Sequence, residues 1–295
     1  MKSYLRLSIA LSFFLFFSCN EQESKVYKGD ITISTQAEVN AFGEKGYQSI
    51  EGTLILGNYN PAFQGELNQG LFDLSQLRSL SYVKELSILA ISGLKNLHFL
   101  ENLGRVEVLV ISGNPDLQSL AGLSSLDTAS FVLVHNNSSL KNLQGLSHLR
   151  GANWLEVDSN ENLKSLEGLS RFAFANSLVI TDNVNLESLN GLELVKSLMH
   201  IKIANNSSLN DLSALANVTS DMEYIIIEHN PQLTDLTAFQ NVENANTLNI
   251  SFNAQLKDFC PFQSAVINHI DGWLNIEGNA FNPTEEEIIN GNCSQ

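Results

Sequence analysis

Residues Leu109 to Leu123 read LVISGNPDLQSLAGL, and one pattern returns down most of the chain: hydrophobic-x-hydrophobic-x-x-Asn-x-x-Leu-x-x-Leu-x-Gly-Leu. Its asparagine recurs at Asn114, Asn137, Asn160, Asn183, Asn206, Asn230, Asn253 and Asn279, at separations of 23, 23, 23, 23, 24, 23 and 26 residues. A period in this range marks a solenoid, in which each repeat buries its apolar face only by stacking on the next. The expected fold is a repeat solenoid: a β-helix-like, leucine-rich stack of about ten ~23-residue rungs with one long parallel β-sheet.

Each copy opens on a short β pattern, such as Leu54-Ile55-Leu56, Leu89-Ala90-Ile91, Val132-Leu133-Val134, Leu178-Val179-Ile180, Ile225-Ile226-Ile227 and Leu274-Asn275-Ile276. Alternation along a strand turns the first and third residues inward and the middle one outward. Ten such strands at ~4.8 Å each span roughly 45–50 Å. The return path carries leucine columns. The first runs Leu97, Leu117, Leu140, Leu163 and onward; the second Leu100, Leu120, Leu143, Leu166; the third Leu103, Leu123, Leu146, Leu169. Steps of three suit a short 3₁₀ or extended return, not a full α-helix. Gly122, Gly145, Gly168 and Gly191 mark a bend that Ala214, Ala238 and Pro261 make in later copies. The asparagine column reads as a ladder of buried turn amides that satisfy backbone groups. Leu94 interrupts it in the copy LAISGLKNLHFL, so the ladder is expected to start after that rung. Asn60 to Gln69 reads as an insertion, because Leu71, Leu74 and Leu77 resume the columns.

Lys and Arg number 16 against 32 Asp and Glu, a formal charge of -16. Two of those cations, Lys2 and Arg6, lie at the chain start, so the remainder carries -18. That balance argues against nucleic acid and against a polybasic membrane patch. The start, MKSYLRLSIALSFFLFFSCN, is a short basic region followed by an apolar run from Leu7 to Phe17 that is too short to span a bilayer. It reads as an export signal. Its end, Phe17-Ser18-Cys19, resembles a bacterial lipobox, in which Cys19 becomes the first residue and carries lipid. Phe at the two positions before Ser18 departs from the strict lipobox form. Acyl chains contribute ~0.8 kcal/mol per buried CH2, so two or three of them hold a protein to a membrane. Glu21 and Glu23 resemble the acidic signals that send some lipoproteins to the outer face of the outer membrane. The expected location is the outer membrane and the cell surface.

Cys260 and Cys293 remain as a pair in an exported chain and read as a disulfide. Thr35-Gln36-Ala37-Glu38 is a capping-box pattern for a helix over about 35–44, and Thr284-Glu285-Glu286-Glu287 repeats it, with Gly291 as the stop. Short capping helices are therefore expected at both ends. The expected divisions are a leader over 1–18, a lipidated Cys19 and polar tether over 19–28, and one solenoid over 29–295. Within the solenoid, a cap covers 29–50, the rungs 51–279 and a second cap 280–295.

The stretches LQSLAGLSSL, LKSLEGLSRF and LESLNGLELV resemble bacterial surface lipoproteins with leucine-rich or receptor-L-domain-like repeats. GDITISTQAEVNAFG, LKDFCPF and NAFNPTEEEIINGNCS resemble the caps of that group, so the likeness covers residues 29–295. The segment before each strand departs from it: Ala152-Asn153, Ala175-Asn176 and Asn244-Ala245-Asn246 stand where a Gly-Gly pair is usual. The resemblance implies a non-catalytic, cell-surface role and no particular ligand.

The outward sheet face is the surface whose pattern points to a partner. Phe131, Trp154, His200 and Tyr224 precede the inward strand residue, and Leu133, Glu156, Lys202 and Ile226 are mid-strand outward residues. An aromatic-apolar patch of this kind on a solenoid invites a protein or glycan. The same face is also explained by side chains stacking along a regular sheet. The alternatives are a structural envelope component without a specific ligand, and a polysaccharide-acting enzyme. His98, His135, His148, His200, His229 and His269 show no metal spacing, and no catalytic pair or cofactor motif stands out. Asp127-Thr128-Ala129 matches a short bacterial O-glycosylation pattern, whereas the Asn-x-Ser/Thr sites at Asn137, Asn206 and Asn217 read as turn chemistry.

If Cys19 carries the lipid, Cys19→Ala releases or mislocalises the protein and abolishes metabolic labelling by a fatty acid. Equal label in the variant would refute the assignment.

Overall fold

The computed structural model describes residues 25–57, 67–71, 73–219, 221–268, 270 and 272–295. Cys19, the expected leader, His269 and most of the expected insertion at Asn60–Gln69 lie outside these residues. The chain forms a repeat solenoid around one parallel sheet. Ten strands climb it in sequence order: β3 (Ser49–Gly57), β4 (Tyr82–Leu89), β5 (Arg105–Ser112), β6 (Phe131–His135), β7 (Gly151–Asp158), β8 (Phe174–Thr181), β9 (His200–Ala204), β10 (Met222–Glu228), β11 (Ala245–Ser251) and β12 (Trp273–Glu277). Two shorter strands, β1 (Val26–Tyr27) and β2 (Ile31–Ile33), both pair with β3 at the start.

Inside each rung the inward strand residues meet the leucine columns. Leu109 and Ile111 are fully buried, as are Leu117, Leu120 and Leu123, while Val110 between them is not. A further column unites Leu103, Leu126, Leu149, Phe172, Val195, Val218 and Val242, all fully buried. The return takes two forms. At Gly122, Gly145, Gly168 and Gly191 the backbone is left-handed, with φ of 114–119°, and any Cβ would collide with the carbonyl of the leucine one rung below. Where Ala214, Ala238 and Pro261 stand instead, one turn of 3₁₀ helix makes the bend, at Ser213–Leu215, Thr237–Phe239 and Cys260–Phe262.

One copy sits three residues away from its expected register. Leu86 and Ile88, not Leu89 and Ile91, pair with Leu109 and Ile111. The inward pair of that strand is therefore Leu86 and Ile88. Ile91 takes the asparagine position, as its main-chain bond to Asn114 Oδ1 shows. Leu94 is consequently a column leucine and not the ladder break. Leu97, Leu100 and Leu103 each move one column on, since Gly122 packs on Leu97 as Gly145 packs on Leu120. The physical reason is that two consecutive apolar runs, Leu86–Ile88 and Leu89–Ile91, compete in a copy without its asparagine. Asn68, one rung earlier, bridges to Ile91 and so occupies the same position.

From Asn114 onward the ladder is continuous. Each asparagine Oδ1 accepts the main-chain N–H of the asparagine one rung below: Asn114 N to Asn137 at 3.2 Å, Asn137 N to Asn160 at 3.1 Å and Asn160 N to Asn183 at 3.0 Å. Each Nδ2 donates to the carbonyl of the inward strand residue one rung below, Ile111 for Asn137 and Val134 for Asn160. It also donates to its own rung two residues back. Asn282 closes the series by accepting from Asn279 N at 2.8 Å, as a further rung would. The residue before each asparagine is left-handed whatever its type: Asn136, Ser159, Asp182, Asn205, His229 and Phe252 all have φ of 53–59°. Such a conformation costs roughly 1–2 kcal/mol for a non-glycine residue. Its N–H reaches the neighbouring rung, for example Asp182 N to Ala204 O at 3.0 Å.

Both ends are closed. Helix α1 (Gln36–Gly43) carries the Thr35–Glu38 capping box and buries Val39 and Phe42. The backbone N–H groups of Ser34 and Thr35 hold the Glu38 carboxyl below its ordinary range. At the other end stand α2 (Gln263–Ile267), which the sequence did not announce, and α3 (Glu285–Ile289) with its Thr284–Glu287 box. A disulfide joins Cys260 on the last rung to Cys293 beyond α3, across 33 residues. In the chain-entropy account a loop of that size contributes ~3–4 kcal/mol.

Leu166→Ala should destabilise by ~2–5 kcal/mol as a large-to-small core change, and Leu133→Ala by much less. Equal unfolding midpoints would mean that the inward and outward faces are exchanged.

Asn160→Ala should cost at least about 3 kcal/mol, because it leaves several buried groups unpaired at ~1–3 kcal/mol each. Urea unfolding checks it, with exposed Asn162→Ala as the comparison. Matching curves for the two variants would remove the ladder from the stability account.

Candidate functional site

The spacing of inward residues changes just before each strand's centre. Ala152 and Leu155 are buried and three apart, with Asn153 and Trp154 both exposed between them. Asn153 N and Trp154 N both donate to Ser130 O, at 2.8 and 3.0 Å. Glu223 N and Tyr224 N share Met199 O in the same way, at 2.7 and 3.2 Å. This is a β-bulge, which re-aims side chains and lets two consecutive residues face outward. Repeated rung on rung, it doubles the outer row. Asn153, Met199 and Glu223 thereby join the face beside Trp154, His200 and Tyr224, a consequence the sequence reading missed. The signal was present in the three-residue step from Ala152 to Leu155, Ala175 to Leu178 and Met222 to Ile225.

The sheet register places the nominated residues in rows. Phe131 pairs with Trp154, Trp154 with Ser177, Ser177 with His200, His200 with Tyr224, Tyr224 with Thr247 and Thr247 with Trp273. Phe131, Trp154 and Tyr224 are 43%, 36% and 42% exposed, and Trp273, not among the nominated residues, is 56% exposed. Leu133, Glu156, Lys202 and Ile226 form the adjacent row and are half-buried. Phe131 and Trp154 are direct neighbours, as are His200 and Tyr224, whose rings lie 5.1 Å apart. Ser177 separates the two groups.

Hydrogen bonds fix the polar members. Glu156 accepts from Trp154 Nε1 at 2.8 Å and lies 3.5 Å from His135 Nε2, a buried nitrogen with no hydrogen-bond partner. Lys202 lies 3.5 Å from Glu228, which also accepts from Asn249. His200 is held at both nitrogens, Nε2 at 2.7 Å from Glu223 and Nδ1 at 3.0 Å from Ser177 Oγ. Glu223 accepts from Nε2–H, and the Ser177 hydroxyl pairs with Nδ1. The connectivity is that of a serine-histidine-acid relay. Ser177, however, is 5% exposed, and the surrounding main-chain N–H groups pair between strands, leaving no donor pair for an oxyanion. The array therefore orients the His200 ring against Tyr224.

Other concavities are open grooves on the return side. One of about 460 Å³ lies between the early rungs and is lined by Asp73, Arg78, Lys95, His98 and Phe99 among others. Another of about 380 Å³ lies among Gln118, Ser139, Lys141, Asn162 and Lys164. Among the described residues, no His, Cys, Asp or Glu cluster is placed to hold a metal, and no helix is long and apolar enough to cross a membrane. Thr128 is exposed and bridges to Arg105 beside the sheet.

The sequence matches no family profile. It matches no curated protein. Among solved structures, the chain is similar to the crystal structure of an internalin from Listeria monocytogenes, at 18% identity over 87% of this chain and 80% of that one, with a TM-score of 0.42.

Proposed function

We propose that this protein is a recognition or adhesion module of the cell envelope, held by lipid on Cys19 and presenting its sheet face to a ligand outside. The observation that carries the reading is the exposed aromatic row, Phe131, Trp154, Tyr224 and Trp273, on a rigid sheet whose polar residues are already oriented. Large aromatic side chains in contact with solvent are poor solubility devices but strong anchors for a partner. The basic start, the apolar run and Ser18-Cys19 support the anchor.

An array of glycans and surface proteins probed with the full-length protein tests the reading. Hits should lose at least about tenfold in affinity in both Trp154→Ala and Tyr224→Ala, with unchanged melting temperature. Hits that persist unaltered in both variants would move recognition to the return-side grooves or to the segment Asn60–Gln69.

A further inference from the structure

We infer that the doubled outer row seats a neutral, linear pyranose chain laid along the solenoid axis, across the strands. This rests on the recognition reading above and names the ligand class for the same face.

Three observations converge on that class. The first is chemical. Aromatic rings in the row are flanked on both sides by groups that bind hydroxyls, Asn153 and Glu223 on one side and Glu156 and Asn275 on the other. A sugar ring offers an apolar C–H face for stacking and hydroxyls at its rim, so it matches a ring bordered by amides and carboxylates.

The second is metric. From Phe131 to Trp273 the row crosses six strand steps, about 29 Å at ~4.8 Å per step. Sugar units of a linear pyranose chain recur at close to that step, so about one unit faces each rung. An extended polypeptide advances ~3.3 Å per residue and alternates its side chains, so it falls out of step with the rungs. Thr247, half-buried between Tyr224 and Trp273, leaves a step in the aromatic row that a ring can enter.

The third is electrostatic. The whole chain carries a formal charge of -16, which opposes a uronate or sulfated chain. On the face itself Glu228 is matched by Lys202, while Glu156 accepts a hydrogen bond from Trp154 Nε1 and Glu223 from His200 Nε2.

The chain's two tryptophans, Trp154 and Trp273, both stand on this row, so intrinsic fluorescence reports its occupation. Full-length protein in detergent is titrated with cellohexaose, mannohexaose and chitohexaose, with the corresponding trisaccharides, and with hexagalacturonate. The expected result is a saturable fluorescence change with at least one neutral hexasaccharide. Its trisaccharide should bind at least about tenfold more weakly, because it covers half the row, and hexagalacturonate should give no change. Tyr224→Ala should weaken the hexasaccharide about tenfold. Trp273→Ala, at the row's end, serves if the first variant folds poorly, and calorimetry then replaces fluorescence. Equal affinity for three and six units, preference for the anionic chain, or no response to any neutral hexasaccharide overturns the inference. If array hits still depend on Trp154 and Tyr224 while no hexasaccharide binds, the glycan assignment falls and the recognition reading stands. If the array hits also ignore both residues, the two fall together.

Discussion

An asparagine buried between rungs does what a leucine column cannot: it fixes both the height and the phase of one rung on the next. Apolar contacts are non-directional and tolerate sliding. The amide is not so tolerant. Asn137 alone donates to Ile111 of the rung below and to His135 of its own rung, while its oxygen accepts from Asn114. Each of these groups is buried, so a shifted rung would strand several of them without water. The left-handed corner before each asparagine is tolerated for the same reason. Phe252 adopts φ of 56° without glycine's freedom because its N–H is then directed to Glu277 of the next rung.

Phase decides what the outside of the sheet looks like. Side chains alternate across a strand, so a slip of one residue would exchange core and surface. With the ladder in place the aromatic residues of successive rungs come into register, and the bulge adds a second outward residue to each. A face built this way has little share in the core. The leucine columns are fully buried on the other side, and Ser177 and His200 contribute orientation rather than packing. Stability and surface chemistry are thus carried by different residues of the same rung.

Much of this was legible in the sequence because the ladder residue is chemically distinctive. The spacing of Asn114, Asn137, Asn160 and their successors yields the period, the columns and the sheet direction. Where that marker is missing the reading slips, as it did by one triplet around Ile91. Leucines three apart are interchangeable to the eye, and only a hydrogen bond distinguishes their columns. The bulge escaped for a related reason. A period-2 strand was assumed throughout, whereas Ala152 and Leu155 are three apart, and buried alanine is a weak apolar signal. Trp273 lies on the same row, one strand beyond Thr247, and is not among the residues nominated from the sequence. The Ser177–His200–Glu223 array was not legible at all, since its members are 23 residues apart and meet only through the register.

The position of the aromatic row along the solenoid follows from the same constraint. Ladder irregularities gather at the start of the stack, where Ile91 replaces the asparagine and Asn68 bonds to Ser34 and Gly70. A groove of about 460 Å³ lies there, between returns that follow no shared amide. The row from Phe131 to Trp273 instead stands wholly on rungs whose asparagines, Asn137 to Asn279, form an unbroken series closed by Asn282. Recognition gains from groups held rigidly before a ligand arrives, because less freedom is lost on binding. A row on the irregular end would have to be ordered by its ligand. On the continuous ladder it is already in place, and the disulfide from Cys260 to Cys293 ties down the cap beyond its last strand.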